Sequence, residues 1–177
     1  MTGILEIARI APDTLRFERR LAAPVETVWR WLTEPELRRQ WFMTGPIEPR
    51  VGGTIGFTVD HGNLSTEEVG YPERYAKMQG ISFEERITVF DPPRVLAFTW
   101  DEGKEGTATF ELFPEGEATR LVFTHRGITG PGPMANFGGG WMSHLAVLEA
   151  KLAGGGIADF WALHARAEAA VKAALGG

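Results

Sequence analysis

The sequence contains no cysteine. This absence excludes disulfide bonds, thiol catalysis and metal sites with thiolate ligands. Basic residues are also in the minority, because 18 lysines and arginines stand against 23 aspartates and glutamates, which gives a formal net charge of −5. Proteins that bind nucleic acids or anionic membranes usually present a basic surface that releases counterions on binding. We therefore expect neither a nucleic acid nor a membrane as a partner.

Long apolar segments and the common catalytic motifs are missing as well. No run approaches the roughly 20 apolar residues that cross a bilayer, and residues 1–10 lack the basic and apolar parts of a signal peptide. The sequence has no nucleophile elbow, no phosphate-binding loop and no H-E-x-x-H metal pair. We expect a cytoplasmic protein without a metal or a cofactor, and the motifs leave open whether it is an enzyme.

The first part of the sequence predicts a strand followed by two helices. Alternating apolar residues predict a strand over 14–21. Pro24 suits the first turn of a helix, and the apolar residues that follow it recur with the helical period. The segment Thr33-Glu34-Pro35-Glu36 has the pattern of a capping box, which predicts a second, short helix that ends near Trp41.

The middle of the sequence indicates a run of strands. Strand patterns occupy 47–59 (interrupted at Gly52-Gly53), 81–90, 95–100, 107–113 and 119–125. A weaker strand pattern covers 75–78. The segment 61–73 is polar, and 127–140 is rich in glycine, so we expect an irregular loop and a flexible connection there.

Two helices are predicted after these strands. The segment 139–152 carries one apolar stripe, formed by Trp141, Leu145, Leu148 and Leu152. His144 borders this stripe on a helical wheel. The glycines at 154–156 end the helix. Apolar residues with helical spacing predict a further helix over 157–175, which we expect to dock on its own domain or on a second copy of the chain.

The order of these elements predicts the fold class. A strand, a helix pair, about six strands, a long helix and an extra helix are typical of an α+β fold in which a curved antiparallel sheet wraps around the long helix, called the helix-grip fold. We expect residues 1–153 to form this domain and residues 154–177 to form the appended helix.

Six segments occur in the order that is found in a known superfamily. They are Ala23-Pro24-Val25-Glu26-Thr27-Val28-Trp29, Pro35-Glu36-Leu37-Arg38-Arg39-Gln40-Trp41-Phe42, Val51-Gly52-Gly53-Thr54, Phe90-Asp91-Pro92-Pro93-Arg94-Val95-Leu96-Ala97-Phe98-Thr99-Trp100, Thr119-Arg120-Leu121-Val122-Phe123-Thr124-His125 and Gly140-Trp141. Over about residues 14–153 the sequence resembles the START-like, Bet v 1-related (SRPBCC) superfamily. Within it, the sequence is most similar to bacterial proteins grouped with the C-terminal domain of the activator of the Hsp90 ATPase. The segment Phe160-Trp161-Ala162-Leu163-His164 resembles the extra helix of one bacterial branch.

The resemblance implies a cavity that takes a small hydrophobic molecule between the sheet and the long helix. Members of the superfamily include carriers, cyclases and hydrolases. Three functions therefore stay open: a ligand-binding protein, a module that contacts a chaperone or a regulator, and a cofactor-independent enzyme of the cyclase or hydrolase kind. The sequence also leaves open whether the chain forms a homodimer.

Nine residues are candidates for the lining of this cavity: Phe57, Phe98, Trp100, Phe110, Phe123, His125, Trp141, His144 and Leu145. Their apolar and aromatic side chains suit a ligand pocket. The same side chains would also fill a packed core without a void. We expect His125 and His144 either to serve as hydrogen-bond donors or a proton relay at the pocket, or to be histidines with satisfied hydrogen bonds at the ends of their elements.

Glu84 and Glu85 lie in an otherwise apolar strand. Because side chains alternate along a strand, one of the two carboxylates must face the interior, and the sequence leaves open which one. A buried carboxylate requires compensation. We expect an arginine partner, with Arg86 and Arg120 as the candidates, or a role as a buried acid that acts on a ligand.

Overall fold

The computed structural model describes residues 7–176, and the expectations for residues 1–6 and 177 lie outside this range. Seven strands lie in the described part: β1 (Ala8–Ala11), β2 (Thr14–Leu21), β3 (Thr54–Thr58), β4 (Ser82–Asp91), β5 (Val95–Thr99), β6 (Thr107–Glu115) and β7 (Ala118–Arg126). They form one antiparallel sheet in the order β1-β2-β7-β6-β5-β4-β3. The prediction of an α+β helix-grip fold is confirmed.

Five α-helices of residues 7–176 accompany the sheet: α1 (Val25–Thr33), α2 (Pro35–Arg38), α3 (Glu73–Ala76), α4 (Pro131–Leu152) and α5 (Phe160–Gly176). The predicted helix pair, α1 and α2, lies between β2 and β3. The long helix α4 follows the last strand and lies on the inner face of the sheet. Trp141 of α4 contacts Phe123 of β7 there, with 4.4 Å between the ring centroids.

The inner face of the sheet is built by alternation along β6 and β7. Phe110 pairs with Phe123 across these two strands, and their ring centroids are 4.8 Å apart. Leu121 and Leu112 form a second buried pair on the same face. Because successive side chains of a strand point to opposite faces, each of these strands contributes every second residue to the core.

Helix α4 is buried on more than one side. All residues from 141 to 148 are buried, including Ser143 and His144. A helix with one apolar stripe would expose its opposite face, whereas α4 has the sheet on one side and α5 on another. It therefore needs apolar or small residues around most of its circumference.

Two glycines let α5 approach α4 closely. A Cβ at Gly138 would lie 2.7 Å from Cγ1 of Val171, and a Cβ at Gly139 would lie 3.0 Å from Cα of Glu168. Any larger residue would push the helices apart. The appended helix thus packs on its own chain, and a contact with a second copy stays a prediction.

Three segments differ from what the sequence pattern predicts. Helix α4 begins at Pro131, so the prediction of a flexible connection over 127–140 is wrong: tertiary packing overrides the low helix propensity of its glycines. The weak strand over 75–78 is also wrong, because α3 occupies Glu73–Ala76. Only Thr54–Thr58 of the long strand forms β3. The preceding residues turn at Gly52, which has a left-handed φ of 81°.

Candidate functional site

A cavity of about 740 Å³ lies between the inner face of the sheet, α4, α5 and a segment that we call the covering segment, residues 61–78. The sheet side contributes Val59, Phe83, Glu85 and Trp100, and helices α4 and α5 contribute Phe137, Gly140, Trp141, His144, Trp161 and His164. The covering segment contributes His61, Tyr71, Arg74, Tyr75 and Met78. Most of the wall is therefore aromatic, and the polar groups stand at separate places on it.

One wall of the cavity is a stack of aromatic rings. Trp141 stacks on Phe42 with 5.1 Å between the ring centroids, and it packs at 5.1 Å against Trp100. Trp100 in turn meets Phe83 edge-on at 5.9 Å. Trp141 lies on α4 and Phe83 on β4, while Phe42 follows α2 and Trp100 follows β5. Only the assembled fold brings these rings together.

His144 has a defined hydrogen-bonding state in this wall. Its Nδ1 lies 2.8 Å from the carbonyl oxygen of Trp41, and because a carbonyl only accepts, Nδ1 carries the hydrogen and donates it. Burial lowers the pKa of His144 well below its usual value, and the nearby His61 adds to this effect. The ring is consequently neutral near pH 7, with Nε2 as an acceptor.

His61 and His164 lie at the same end of the cavity as His144, so three histidines line this part of the wall. The rings of His61 and His144 meet edge-on with 4.7 Å between centroids. Burial lowers the pKa of His61 to about 4, with a further contribution from His164. Burial also lowers the pKa of His164. Each of the three rings is therefore neutral at pH 7, and this end of the cavity carries no cationic histidine.

The covering segment is held against α5 by specific contacts. Tyr75 stacks on Trp161 with 5.0 Å between ring centroids and 13° between planes. Arg74 pairs with Glu168 at 3.1 Å. Nearer the start of the segment, the amide of Thr66 donates to the carbonyl of Ile157 at 2.8 Å. The covering segment and α5 thus form one roof over the cavity.

Glu85 is the carboxylate that faces the interior, with 4% of its surface exposed, whereas Glu84 is exposed. The Thr99 hydroxyl donates to Oε2 of Glu85 at 2.6 Å, and the amide of Glu102 donates to the same oxygen at 3.2 Å. The predicted arginine partner is wrong: Arg86 donates to the carbonyl of Gly52. Arg120 pairs with Glu18 and Glu115 on another part of the sheet.

The loop that supplies the Glu102 amide has an uncommon backbone. Asp101 and Glu102 both have left-handed φ values, of 50° and 56°. Such values are unfavourable for residues other than glycine, so the surrounding structure must hold them. The result is an amide that points at the Glu85 carboxylate beside the cavity.

The family of this chain follows from comparison with known proteins. The family model described as Activator of Hsp90 ATPase homolog 1-like protein matches residues 22–153. The chain belongs to this family. A protein of Bordetella parapertussis with a solution NMR structure is 37% identical, over 93% of this chain and 87% of that chain, with a TM-score of 0.79. No significant match to a curated protein is found.

Two structures with a lower sequence identity share the fold of this chain. The crystal structure of CalU16 from Micromonospora echinospora is 22% identical, covers 97% of this chain and 98% of that chain, and has a TM-score of 0.67. The solution structure of the Aha1 dimer from Colwellia psychrerythraea is 20% identical, covers 78% of this chain and 95% of that chain, and has a TM-score of 0.59. At these identities the likeness shows the fold alone.

The structure separates the nine residues that the sequence suggests for the cavity lining. Trp100, Trp141 and His144 lie on the cavity wall. The other six are buried elsewhere: Phe57, Phe98, Phe110, Phe123, His125 and Leu145 fill the core behind that wall. Contact of any of the nine with a ligand stays a prediction.

His125 illustrates the difference between a buried histidine and one on the cavity wall. It is fully buried, and the Trp141 indole N–H donates to its Nδ1 at 3.0 Å. Its Nε2 lies 2.7 Å from the carbonyl oxygen of Glu105 and donates to it. Both ring nitrogens are therefore occupied, and His125 positions Trp141.

Sequence reasoning missed the roof of the cavity. His61, Tyr71, Tyr75, Trp161 and His164 all lie on the wall, but none of them was a candidate for the lining. The aromatic residues of the 61–78 segment and the Trp161–His164 pair were the available signals. Nothing in the sequence shows that these two distant segments meet.

The part of the chain that the structure describes offers no metal site. No group of three or more His, Asp or Glu side chains in residues 7–176 could hold a metal ion. No helix among these residues is long and apolar enough to cross a membrane.

Proposed function

We propose that this protein binds a small, largely apolar molecule in the cavity between the sheet, α4 and α5. The observation that carries the proposal is the cavity itself, at about 740 Å³. Ligand pockets typically measure about 300–1,000 Å³ and are lined mainly by apolar and aromatic side chains with a few placed polar groups. The wall of Trp100, Trp141, Phe83 and Trp161 matches that description.

The packing of the core near Trp41 supports this interpretation of the cavity. A second void, beneath Trp41, measures about 10 Å³, which is at the lower limit for a single water molecule. The core around Trp41 is thus closely packed, as protein interiors normally are. A large cavity close to such a core supports a ligand site.

The polar groups on the wall favour binding over catalysis. An enzyme of the cyclase or hydrolase kind would need an acid and a base aimed at the same atoms of a substrate. Among residues 7–176, no hydrogen bond joins Glu85 to a histidine. Of the three histidines, His61 and His144 contact each other through their rings, and His164 packs against Tyr75. We therefore propose a binding role. Contact with a chaperone of the kind in the family's description stays a prediction.

Binding can be tested with a neutral fluorescent probe and two leucine substitutions. Pyrenemethanol should bind the wild-type protein saturably, as measured by fluorescence anisotropy. A Cβ at Gly140 on the cavity wall would meet no heavy atom within 4 Å, so the side chain of Gly140→Leu should project into the cavity and weaken binding by about tenfold or more. Gly132→Leu is the matched control, because Gly132 lies on the same helix, is equally free of neighbours and is not on the wall.

The control should bind pyrenemethanol like the wild type. A wild-type protein that gives no saturable signal, or a Gly140→Leu variant that binds as tightly as the Gly132→Leu variant, would contradict the proposed cavity site.

A further inference from the structure

The Glu85 carboxylate is an unusual feature of an otherwise aromatic cavity. It lies on the cavity wall with 4% of its surface exposed. Its two oxygens receive the Thr99 hydroxyl and the Glu102 amide. An ionised carboxylate offers about four acceptor positions, so capacity for a further donor remains.

No cation of the described chain compensates this carboxylate. None of the salt bridges within residues 7–176 includes Glu85. The cavity lining also includes Glu84, next to it in the chain, and Asp101 and Glu102 of the loop that contacts it. Glu102 pairs with Lys104 at 3.4 Å. The cavity's arginine, Arg74, belongs to the roof and pairs with Glu168. Buried charges in proteins are usually paired. A bound external cation would therefore supply the positive charge that pairs with Glu85.

Aromatic rings surround the same position. Phe83 lies two residues before Glu85 on β4 and therefore on the same face of the sheet. Trp100 follows the Thr99 that binds the carboxylate, and its ring meets Phe83 at 5.9 Å and Phe137 at 6.2 Å. Faces of tryptophan and phenylalanine attract ammonium groups through the ring quadrupole. A carboxylate bordered by such rings is a typical environment for an organic cation.

We propose that the ligand of this cavity is an amphiphilic amine, whose protonated nitrogen binds Glu85 and whose apolar body lies against Trp100 and Trp141. The inference rests on the proposed function, since it names the chemistry of the molecule that fills the cavity. It also predicts discrimination: an anionic head group at this position would meet Glu85 and its acidic neighbours and would be repelled.

Three probes with the same ring system and different head groups test the inference. Pyrenemethylamine is a cation at neutral pH, pyrenemethanol is neutral, and pyrenecarboxylic acid is an anion. The wild-type protein should bind the amine at least about tenfold more tightly than the alcohol, which is the scale of one charge-assisted hydrogen bond. The acid should bind most weakly. Fluorescence anisotropy at low salt provides the three dissociation constants.

A substitution at Glu85 then locates the effect. Glu85→Gln keeps the size of the side chain and removes its charge, so the preference for amine over alcohol should disappear while the alcohol still binds. Glu117→Gln is the control, with the same change of charge in the exposed turn between β6 and β7, away from the cavity wall. It should keep most of the preference.

The outcomes separate this inference from the proposed function. If the alcohol binds the wild-type protein as tightly as the amine does, the cavity site stands and the amine inference is overturned. The same follows if Glu117→Gln and Glu85→Gln have equal effects. If none of the three probes binds, both the proposed function and the amine inference are contradicted. The wild-type comparison decides the matter even if Glu85→Gln does not fold.

Discussion

At the scale of single residues, burial keeps the histidines of the cavity neutral, and this makes the stability of the fold depend on pH. The pKa of His61 is about 4 in the folded protein, against 6.5 for an ordinary histidine. Between these two pH values, His61 binds a proton in the unfolded chain but not in the folded protein. Stability is therefore full above pH 6.5 and falls as the pH decreases toward 4.

We expect His61→Phe to reduce this loss of stability in acid. The His61 Nδ1 atom is buried and has no hydrogen-bond partner within residues 7–176, so phenylalanine sacrifices no hydrogen bond there. A shift of this size corresponds to at most about 3 kcal/mol. Urea unfolding at pH 7.5 and pH 4.5 measures the free energy of unfolding at both ends.

The wild type should lose more stability than His61→Phe between these two pH values, by about 1–3 kcal/mol. The variant should keep part of the loss, because His144 and His164 titrate in the same direction. Equal losses in the two proteins would show that His61 is not held neutral by the fold.

At the scale of elements, two adjacent glycines of α4 have opposite surroundings. A Cβ at Gly139 would lie 3.0 Å from Cα and 3.2 Å from Cβ of Glu168 on α5, whereas a Cβ at Gly140 would meet no heavy atom within 4 Å. Alanine is favoured over glycine in a helix by about 1 kcal/mol. The same substitution should therefore have opposite effects at the two positions.

We expect Gly140→Ala to stabilise the protein by up to about 1 kcal/mol. Gly139→Ala should destabilise it by about 1–2 kcal/mol, because the backbone of α5 must move to admit the methyl group. Chemical denaturation of the two variants beside the wild type measures both values. Changes of the same sign and size would mean that α5 does not lie as close to α4 as the structure indicates.

At the scale of the whole molecule, α5 is part of the core and part of the roof. Its buried stripe consists of Phe160, Leu163, Ala167 and Val171. Two further residues of the helix, Trp161 and His164, line the cavity. A chain without α5 would expose the residues of α4 that pack against this stripe. It would also open the cavity to solvent.

We expect a chain truncated after Ala153 to melt at a markedly lower temperature than the full chain and to lose binding of pyrenemethanol. Thermal melting, light scattering and anisotropy measure stability, mass and binding. An unchanged mass would fit α5 docking on its own chain, and a change from dimer to monomer would show that α5 also pairs two copies. Unchanged stability and binding would contradict the role of α5 in the roof.

Local patterns in the sequence determine most of the fold. Alternation predicted β2 and the strands from β4 to β7, and together with the family motifs it led to the α+β helix-grip class and to membership of the family. The capping-box pattern placed α2 correctly, but the box itself does not form: the Thr33 hydroxyl donates to the carbonyl of Trp29, and Glu34 is the N-cap of α2. These features depend on residues that are near one another in the chain, or on segments whose order is itself diagnostic. The sequence likewise placed Trp141 and His144 on the helix that faces the sheet.

The tertiary structure decided the site. Alternation required one of Glu84 and Glu85 to face inward, but only the register of β4 in the sheet and the loop at Asp101 and Glu102 show that it is Glu85. Within residues 7–176, no salt bridge joins Glu85 to an arginine. The helical start of α4 at Pro131 depends on packing against α5, which overrides the propensity of its glycines. The meeting of Tyr75 with Trp161 joins residues far apart in the chain. No local pattern encodes a contact of that kind, because it arises from the packing of the whole molecule.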